Sequence, residues 1–217
     1  MSRKNQKNGE TLHEQLSKLE AQGQIPTVVR GIVQQKRWQW DEYESGAHYA
    51  ASTDPKKMGR YNDPTAKTGI CYTADCSSVA IAESLGRVYQ QDPDDFTLGE
   101  SDLEKAQLYT LETTRETTTI DIPKLQAITD WAANHSENDY DGVTYASRHY
   151  SRAGTCTAFW RSEGKDGPLV DVEHSPVDSY VDSDKRNYPP NWQEEDITGF
   201  EIVTQTLRFN VSKDGKK

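Results

Sequence analysis

Apolar residues are concentrated in short segments of this chain, and the period of each segment predicts its secondary structure. Leucines recur at helical spacing within 11–22, which predicts a first, peripheral helix. β-Branched residues dominate 25–33 between a proline and a polar stop, which indicates a buried strand. A short strand is predicted at 69–73, and an aspartate or serine after it can cap a helix that runs to about Gln90.

The second half of the chain again contains both strand and helix patterns. Residues 106–122 are threonine-rich and alternate in character, which predicts strand structure. Pro123 opens a predicted helix over 123–135, with its apolar residues on one side. The other predicted strands are 143–147, 155–160, 169–172 and 200–211. Together these segments indicate a mixed α+β fold.

Residues 34–67 show no clean period and are interpreted as a long loop region. The segment carries aromatic and histidine side chains among turn-forming residues: Trp38, Trp40, Tyr43, His48, Tyr49 and Tyr61. Loops of this length inside a compact domain are usually functional or disordered, and the aromatics favour a functional loop. We expect a disordered tail at 1–10 and a single domain over 11–217, since no internal repeat and no second domain is found.

The charge of the chain limits the classes of partner. Its 217 residues include 25 Lys+Arg and 35 Asp+Glu, for a formal net charge of −10. Such acidity works against nucleic-acid binding, which relies on a basic face, although a local basic pocket remains open. The apolar runs are far shorter than the ~20 residues of a membrane-spanning helix, and the N-terminus has no signal-peptide core. We therefore expect a cytoplasmic protein that contacts neither nucleic acid nor membrane; delivery into a target cell without a cleaved signal peptide is the alternative.

Cysteine and histidine spacing indicates no metal site. Cys71, Cys76 and Cys156 cannot all pair with one another and match no zinc pattern, so we interpret them as reduced, mostly structural thiols. A catalytic cysteine is the less favoured alternative. His48 and His149 neighbour the motifs described next and could line a cleft there, but a structural or surface role is favoured for both. Glycine-rich phosphate loops of the Rossmann and P-loop kinds are absent from the sequence.

Four polar residues interrupt segments that are otherwise apolar or turn-like: Arg30, Arg60, Glu83 and Ser147. Each has a structural interpretation: Arg30 pairing a carboxylate, Arg60 in a turn, and Ser147 ending a strand. Glu83 precedes Arg87 by one helical turn, the order that favours an ion pair. A functional role is the alternative to this ion pair, because small or apolar residues surround Glu83 and buried carboxylates are enriched at functional sites.

The order and spacing of these residues resemble the RES domain, a family named for its Arg, Glu and Ser residues and found in bacterial toxins that consume NAD. The resemblance spans roughly 27–160. The similar segments are 28–32, 59–62, 70–74, 79–83, 142–148 and 154–159. The chain departs from the family in two ways. Tyr61 stands where Trp or Phe is usual. Local elaborations occupy residues 34–58 and the Thr-rich stretch before Pro123.

The resemblance implies an ADP-ribosyltransferase-like split β-sheet core with flanking helices, and NAD in a cleft between two small sheets. By position, Arg30 and Arg60 would be cationic cleft residues. Tyr72 would lie beside the nicotinamide and Ser147 at the ribose or phosphate, with Glu83 as the catalytic carboxylate. The residues expected to bind NAD are Arg30, Arg60, Tyr61, Tyr72 and Ser147, and those expected to act in catalysis are Glu83, Arg30, Ser147 and Tyr72.

The implied activity needs no cofactor and no metal, because NAD is the substrate. Its nicotinamide is already a cationic leaving group, so a carboxylate that stabilises an oxocarbenium-like ribose can promote cleavage. Guanidinium groups match the pyrophosphate through bidentate hydrogen bonds. These residue types therefore suit cleavage of the bond between nicotinamide and ribose.

The acceptor of the ADP-ribose separates the remaining alternatives. Water would make the protein an NAD glycohydrolase, phosphate a phosphorylase, and a protein side chain a mono-ADP-ribosyltransferase. An acidic protein with a partly closed pocket favours a small acceptor and hence NAD degradation. A non-catalytic NAD-binding or interaction module is least favoured. A toxin of this kind needs a cognate antitoxin or immunity protein, and the sequence leaves the oligomeric state open.

Overall fold

The computed structural model describes residues 11–54, 59, 61–63, 66–91, 96–121, 131–132, 136, 138–150, 154–162 and 164–213. Eight strands form the main sheet: β1 (Thr27–Arg30), β2 (Gln34–Trp40), β3 (Thr68–Ala74), β5 (Ala106–Thr113), β6 (Thr117–Asp121), β7 (Gly142–Ala146), β8 (Thr155–Ser162) and β9 (Leu169–Pro176). Their order across the sheet is β1-β6-β7-β8-β3-β2-β5-β9. Strands β6 and β7 run parallel, and the other neighbours are antiparallel.

The sheet is nearly divided between β3 and β2. These strands share one registered pair, Lys36 with Ala74. By contrast, β3 pairs with β8 along its whole length, and β2 does the same with β5. Two strands joined at one position must separate away from it, so the sheet opens between its five-stranded and three-stranded parts. The expected α+β fold with a split β-sheet core is therefore confirmed.

Helices and two small strand pairs surround the sheet. The helices are α1 (Leu12–Ala21), α2 (Ser77–Gln91), α3 (Glu100–Lys105) and α4 (Gly199–Glu201), which continues as a π-helical turn over Ile202–Thr206. Strand β4 (Thr97–Gly99) pairs with β12 (Asn210–Ser212), and β10 (Val181–Asp182) pairs with β11 (Ile197–Thr198). A membrane-spanning helix would need a longer apolar run than any helix in the described ranges offers.

The main core lies between α2 and one face of the sheet. Val79, Ile81 and Leu85 of α2 are buried there against sheet residues such as Ile70 and Ala158. A smaller cluster covers the opposite face, formed by Tyr49, Cys71, Tyr109, Leu111, Phe159 and Leu169. Burial of the apolar side of α2 fixes the rotation of this helix, and with it the direction of the polar residues at its edge.

Hydrogen bonds from the C-terminal part of the chain hold the N-terminus of α2. The buried Asn187 accepts a hydrogen bond from the Ser78 N–H at 2.8 Å and donates one to Asp182 at 2.9 Å. The backbone carbonyl of Asn187 accepts from the Thr206 hydroxyl at 2.6 Å. Ser77 also donates to the Asp182 carboxylate. Through its side chain and its backbone carbonyl, Asn187 thus joins the start of α2 to two later segments, and its side-chain oxygen satisfies a helix N–H that has no partner within the helix.

The predicted helices at 11–22 and after 73 are confirmed as α1 and α2. Threonine-rich 106–122 forms β5 and β6, and the strands predicted at 69–73, 143–147, 155–160 and 169–172 are confirmed as β3, β7, β8 and β9. Residues 1–10 lie outside the described part of the chain. Most of the helix predicted at 123–135 does as well, although Trp131 and Ala132 are helical.

The interpretation of 34–67 as loop is wrong for 34–40, which form the interior strand β2. Its polar residues hid the alternation that marks a strand, because two of them face inward. Gln35 and Gln39 are buried, where Gln35 accepts a hydrogen bond from Thr73 at 3.0 Å and Gln39 donates one to the Ser45 carbonyl at 3.0 Å. The Gln39 Oε1 has no hydrogen-bond partner among the described groups. Buried polar side chains such as these leave no apolar pattern in the sequence.

Two other strand predictions are corrected. The segment 25–33 is not a buried strand: β1 is a four-residue edge strand, with Val29 58% exposed and Ile32 63% exposed. The segment 200–211 is mostly helical, with only the short β12 at its end. A capping box starts that helix, because Thr198 and Glu201 hydrogen-bond each other's backbone N–H groups.

Replacing Asn187 by alanine should destabilise the protein. The change leaves the Ser78 N–H without its buried partner and removes one of the donors to the Asp182 carboxylate, so we expect a free energy of unfolding lower by about 2 kcal/mol. The midpoint of thermal unfolding should fall by about 4–8 °C. Gln193→Ala is the matched control, because it removes an exposed amide from the same region. Equal melting temperatures for the two variants would show that Asn187 does not hold α2.

Candidate active site

A cavity of about 700 Å³ opens where β2 and β3 separate. Its size lies within the range of about 300–1,000 Å³ that is typical of small-molecule sites. Strands β2, β3 and β7, helix α2 and the loop residues 59, 61, 148 and 149 supply its walls. The lining residues with the clearest chemical roles are Lys36, Trp38, Tyr61, Tyr72, Glu83 and Tyr145. The split in the sheet therefore forms a cleft below α2.

The Glu83 carboxylate lies on the wall of this cavity, at the edge of the apolar side of α2. Its Oε1 accepts hydrogen bonds from the Ser147 hydroxyl at 2.7 Å and from the Arg148 backbone N–H at 2.9 Å. No described group hydrogen-bonds to Oε2. The alternative ion pair with Arg87 involves a side chain outside the described part of the structure. One oxygen of Glu83 is thus fixed, and the other remains for a ligand.

Ser147 directly follows β7 and is buried. Its hydroxyl takes part in two hydrogen bonds. It donates to Glu83 and accepts a hydrogen bond from the Tyr150 N–H at 2.9 Å. Ser147 is not among the described residues that line the cavity. The structure brings the Ser147 hydroxyl to the Glu83 carboxylate. Its contact is with the carboxylate, and a direct contact with ribose or phosphate stays a prediction.

Tyr72 anchors the loop that precedes β3. Its hydroxyl donates to the Asn62 side-chain oxygen at 2.9 Å and accepts from the Tyr61 N–H at 2.9 Å. Gly59 also donates to Asn62, at 3.0 Å, and a Cβ on Gly59 would lie 2.6 Å from the Tyr72 hydroxyl oxygen. The glycine therefore permits this close approach. Arg60, which the loop carries between these residues, lies outside the described part of the chain.

Tyrosine rings form an aromatic wall of the cavity. The rings of Tyr61 and Tyr145 are both buried, with centroids 4.7 Å apart and planes tilted by 52°. Burial raises the pKa of Tyr145 far above its usual value, and the nearby Cys156 and Glu83 raise that pKa further. The phenol is therefore protonated at neutral pH. This wall is uncharged and suits a flat ring.

Arg30 lies beside the site without lining it. It ends β1, and its guanidinium Nη2 is 3.4 Å from the Thr155 hydroxyl. Thr155 pairs in β8 with Ala146, the residue before Ser147, and its own N–H and hydroxyl donate to the Asp75 carboxylate. Among the described residues around the cavity, Arg30 is absent. Its role as a substrate-binding cation stays a prediction.

The residues predicted for the site did not include Lys36, Trp38 or His149, all of which line the cavity. The first two share one face of β2, because side chains alternate along a strand. Treating 34–40 as loop concealed that relation. A structural or surface role was favoured for His149, yet its ring lies against Gly86 of α2, where a Cβ would come 2.4 Å from the His149 Cγ. Gly86 in the middle of α2 is the sequence signal for that close contact.

Cys71, Cys76 and Cys156 are free and buried. Burial raises the pKa of all three thiols, so they are protonated at neutral pH. A nucleophilic cysteine requires the opposite shift, towards the thiolate. Their interpretation as reduced, structural thiols is confirmed. Within the described ranges, no group of three or more potential metal ligands occurs.

Comparison with known proteins identifies the family. No curated protein matches the chain. The crystal structure of the M. tuberculosis MbcT–MbcA toxin–antitoxin complex is similar to this chain with a TM-score of 0.48 and 15% identity, over 84% of this chain and 91% of that chain. The family model described as the RES domain matches residues 28–193, a range that contains Glu83, Ser147 and the cavity between β2 and β3. The chain therefore belongs to the RES domain family.

Proposed function

We propose that this protein is a toxin enzyme that degrades NAD by cleaving the bond between nicotinamide and ribose. Membership of the RES family supports this proposal, because the resemblance implies NAD-consuming bacterial toxins. The observation that carries it is the Glu83 carboxylate, held at one oxygen by Ser147 and Arg148 on the wall of a cleft. NAD is the substrate, and the chemistry needs no further cofactor.

Glu83 supplies the negative charge that the reaction needs. When the bond breaks, its electron pair goes to the pyridinium nitrogen, and nicotinamide leaves as a neutral molecule. Positive charge then develops on the ribose ring, as in an oxocarbenium ion. The Oε2 of Glu83 can accept a hydrogen bond from the ribose 2-hydroxyl and stabilise this charge. Such electrostatic stabilisation is effective when the stabilising group is already in position.

Ser147 and Arg148 position that carboxylate. A free glutamate side chain has several rotamers, and two donors on Oε1 restrict Glu83 to one of them. Ser147 is itself held by the Tyr150 N–H. The orientation of Glu83 therefore depends on the loop after β7, and the group is held before the substrate binds. We propose that Ser147 acts through Glu83.

The tyrosine wall suits the nicotinamide. A flat, positively charged ring is attracted to the face of a tyrosine, and the contact is stronger where water is excluded. Tyr61, Tyr72 and Tyr145 line the same cavity as Glu83. We propose that Tyr72 contacts the nicotinamide while its hydroxyl fixes the loop of Tyr61. Arg30 and Arg60 remain proposed cations for the diphosphate.

We propose a small acceptor for the ADP-ribose. The cavity is bounded by β2, β3 and α2, which favours water or phosphate over a protein side chain. The activity would then be that of an NAD glycohydrolase or phosphorylase. Mono-ADP-ribosylation of a target protein is the alternative, and a non-catalytic NAD-binding module is the least favoured one.

A toxin that depletes NAD harms the cell that produces it, so we also propose a neutralising partner. The net charge of −10 favours an antitoxin or immunity protein with a basic contact surface, because charge complementarity speeds association and excludes wrong partners.

Glu83→Gln should nearly abolish release of nicotinamide from NAD. The amide retains the size of the side chain but removes the negative charge, so we expect the rate to fall by about 10²–10³-fold. Chromatography of nicotinamide from purified protein and NAD measures this. Glu100→Gln, an exposed carboxylate of α3, should keep the parental rate. If the parent and Glu83→Gln release nicotinamide equally, the role assigned to Glu83 is wrong.

The products of the same reaction should identify the acceptor. We expect free ADP-ribose without phosphate if water attacks, and a phosphorylated ADP-ribose only with added inorganic phosphate if phosphate attacks. Mass spectrometry distinguishes the two products. Incubation with cell lysate and labelled NAD tests for transfer to protein. Label that appears mainly on a protein band would favour the transferase alternative.

Ser147→Ala should lower kcat by about 10–100-fold while KM changes by less than about threefold, because the hydroxyl orients a catalytic group. Steady-state kinetics of nicotinamide release measures both values. Ser179→Ala, an exposed hydroxyl, is the matched control and should match the parent. A large rise in KM with unchanged kcat would instead show that Ser147 contacts the substrate directly.

A further inference from the structure

We propose that His149 is a positioning residue, which holds the Glu83 carboxylate ready for reaction by fixing the loop after β7 against α2. The feature that carries this inference is the contact of the His149 side chain with Gly86, which follows Glu83 by three residues on α2. The inference deepens the proposed function and rests on it for the catalytic role of Glu83. His149 acts through that carboxylate and not on the substrate.

The His149 side chain fills the space that Gly86 leaves on the surface of α2. A Cβ at position 86 would lie 2.4 Å from the Cγ of His149, 2.6 Å from its Nδ1 and 2.7 Å from its Cβ. Carbon atoms in contact are normally about 3.5–4.0 Å apart. Rotation of the imidazole ring would leave the His149 Cβ in place, so it would not relieve this overlap. A residue larger than glycine at position 86 would therefore displace the backbone of the loop.

The loop after β7 contacts α2 at two neighbouring positions. Glu83 accepts hydrogen bonds from the Ser147 hydroxyl and the Arg148 N–H, and His149 packs on Gly86. Residues three positions apart on a helix share one side and lie about 4.5 Å apart along its axis. A backbone N–H can reach a carboxylate on a helix when the loop runs close to that helix, and the glycine permits this approach. The side-chain contact thus sets the distance over which both hydrogen bonds to the carboxylate form.

Two local costs in stability occur at this contact. Glycine inside a helix is less stable than alanine, because it loses more backbone freedom on folding, and Gly86 lies within α2. The Nδ1 of His149 is buried without a hydrogen-bond partner among the described groups, and an unpaired buried nitrogen also lowers stability. Alanine at position 86 with a small apolar residue at position 149 would avoid both costs. The need to hold Glu83 accounts for the pair that is present.

Direct action of the imidazole on the substrate is the alternative, since His149 also lines the cavity. A histidine that serves as a base is oriented by an acceptor that holds the proton of its other ring nitrogen. The Nδ1 of His149 has no such acceptor among the described groups. The contacts of the ring are therefore those of a packed side chain, and they favour positioning over proton transfer.

Amide hydrogen exchange, measured by NMR, tests this inference without requiring turnover. The N–H groups of Arg148 and Tyr150 donate to Glu83 and Ser147, so both amides should exchange slowly in the parent. We expect His149→Ala to speed exchange of both amides at least about 10-fold, because the loop is released from α2. In the kinetics of nicotinamide release, this variant should lower kcat by about 3–30-fold and change KM by less than about threefold.

Three further variants separate packing from imidazole chemistry. His149→Leu retains atoms at the Cβ, Cγ and Nδ1 positions, so its exchange rates and kcat should stay within about threefold of the parent. Gly86→Ala should act as His149→Ala does. Combining these two changes should add less than about twofold to the effect of either one, because the contact is already lost. His174→Ala, which removes an exposed histidine ring from β9, is the matched control and should match the parent.

The outcomes separate this inference from the proposed function. Parental exchange rates or a parental kcat in His149→Ala would overturn the inference. An equal loss of kcat in His149→Leu and His149→Ala would also overturn it, because the imidazole itself would then act. If His149→Ala does not fold by thermal melting, Gly86→Ala decides by the same measurements. A parent that shows the expected exchange effects but releases no nicotinamide would retain the positioning of Glu83 and refute the proposed enzyme.

Discussion

The separation of β2 from β3 is the constraint on which the site depends. A fully paired sheet would use its backbone groups in a continuous ladder and leave no space between these strands. Here the ladder is reduced to the pair of Lys36 with Ala74, and a cavity opens at that point. Each part of the sheet retains its own pairing, so the cleft is rigid on both sides. Side chains on the strand walls of the cleft are therefore held in fixed directions.

Helix α2 brings the acidic group to this cleft. Its apolar side is buried on the sheet, and its N-terminus is held by Asn187 and Asp182. With rotation and position both fixed, the helix places Glu83 at the cavity wall. The loop after β7 then supplies two donors to one carboxylate oxygen. The Glu83 carboxylate of α2 and its two hydrogen-bond donors after β7 are thus brought together at the cavity, although they are far apart in the chain.

The cleft carries mostly positive side chains, whereas the whole protein is acidic. The chain carries a net charge of −10, yet the described charged residues of the cavity are Lys36, Arg37 and Arg148 beside the single acid Glu83. Arg37 is committed to carbonyl groups on the opposite face. A local basic surface in an acidic protein favours a small anionic ligand over a long polyanion, because the surrounding negative charge repels the latter.

The sequence by itself determined α2 and most of the strands, because these depend on local periodicity. That Glu83, Ser147 and Tyr72 belong to one site was implied by the family resemblance and not by periodicity. The sequence did not reveal β2, since the inward-facing Gln35 and Gln39 are polar and break the apolar alternation that marks a strand. Tertiary structure alone decided that Lys36 and Trp38 line the cleft and that Arg30 lies beside it. The physical reason is that strand order is set by pairing between distant segments, and no local pattern encodes which strands separate.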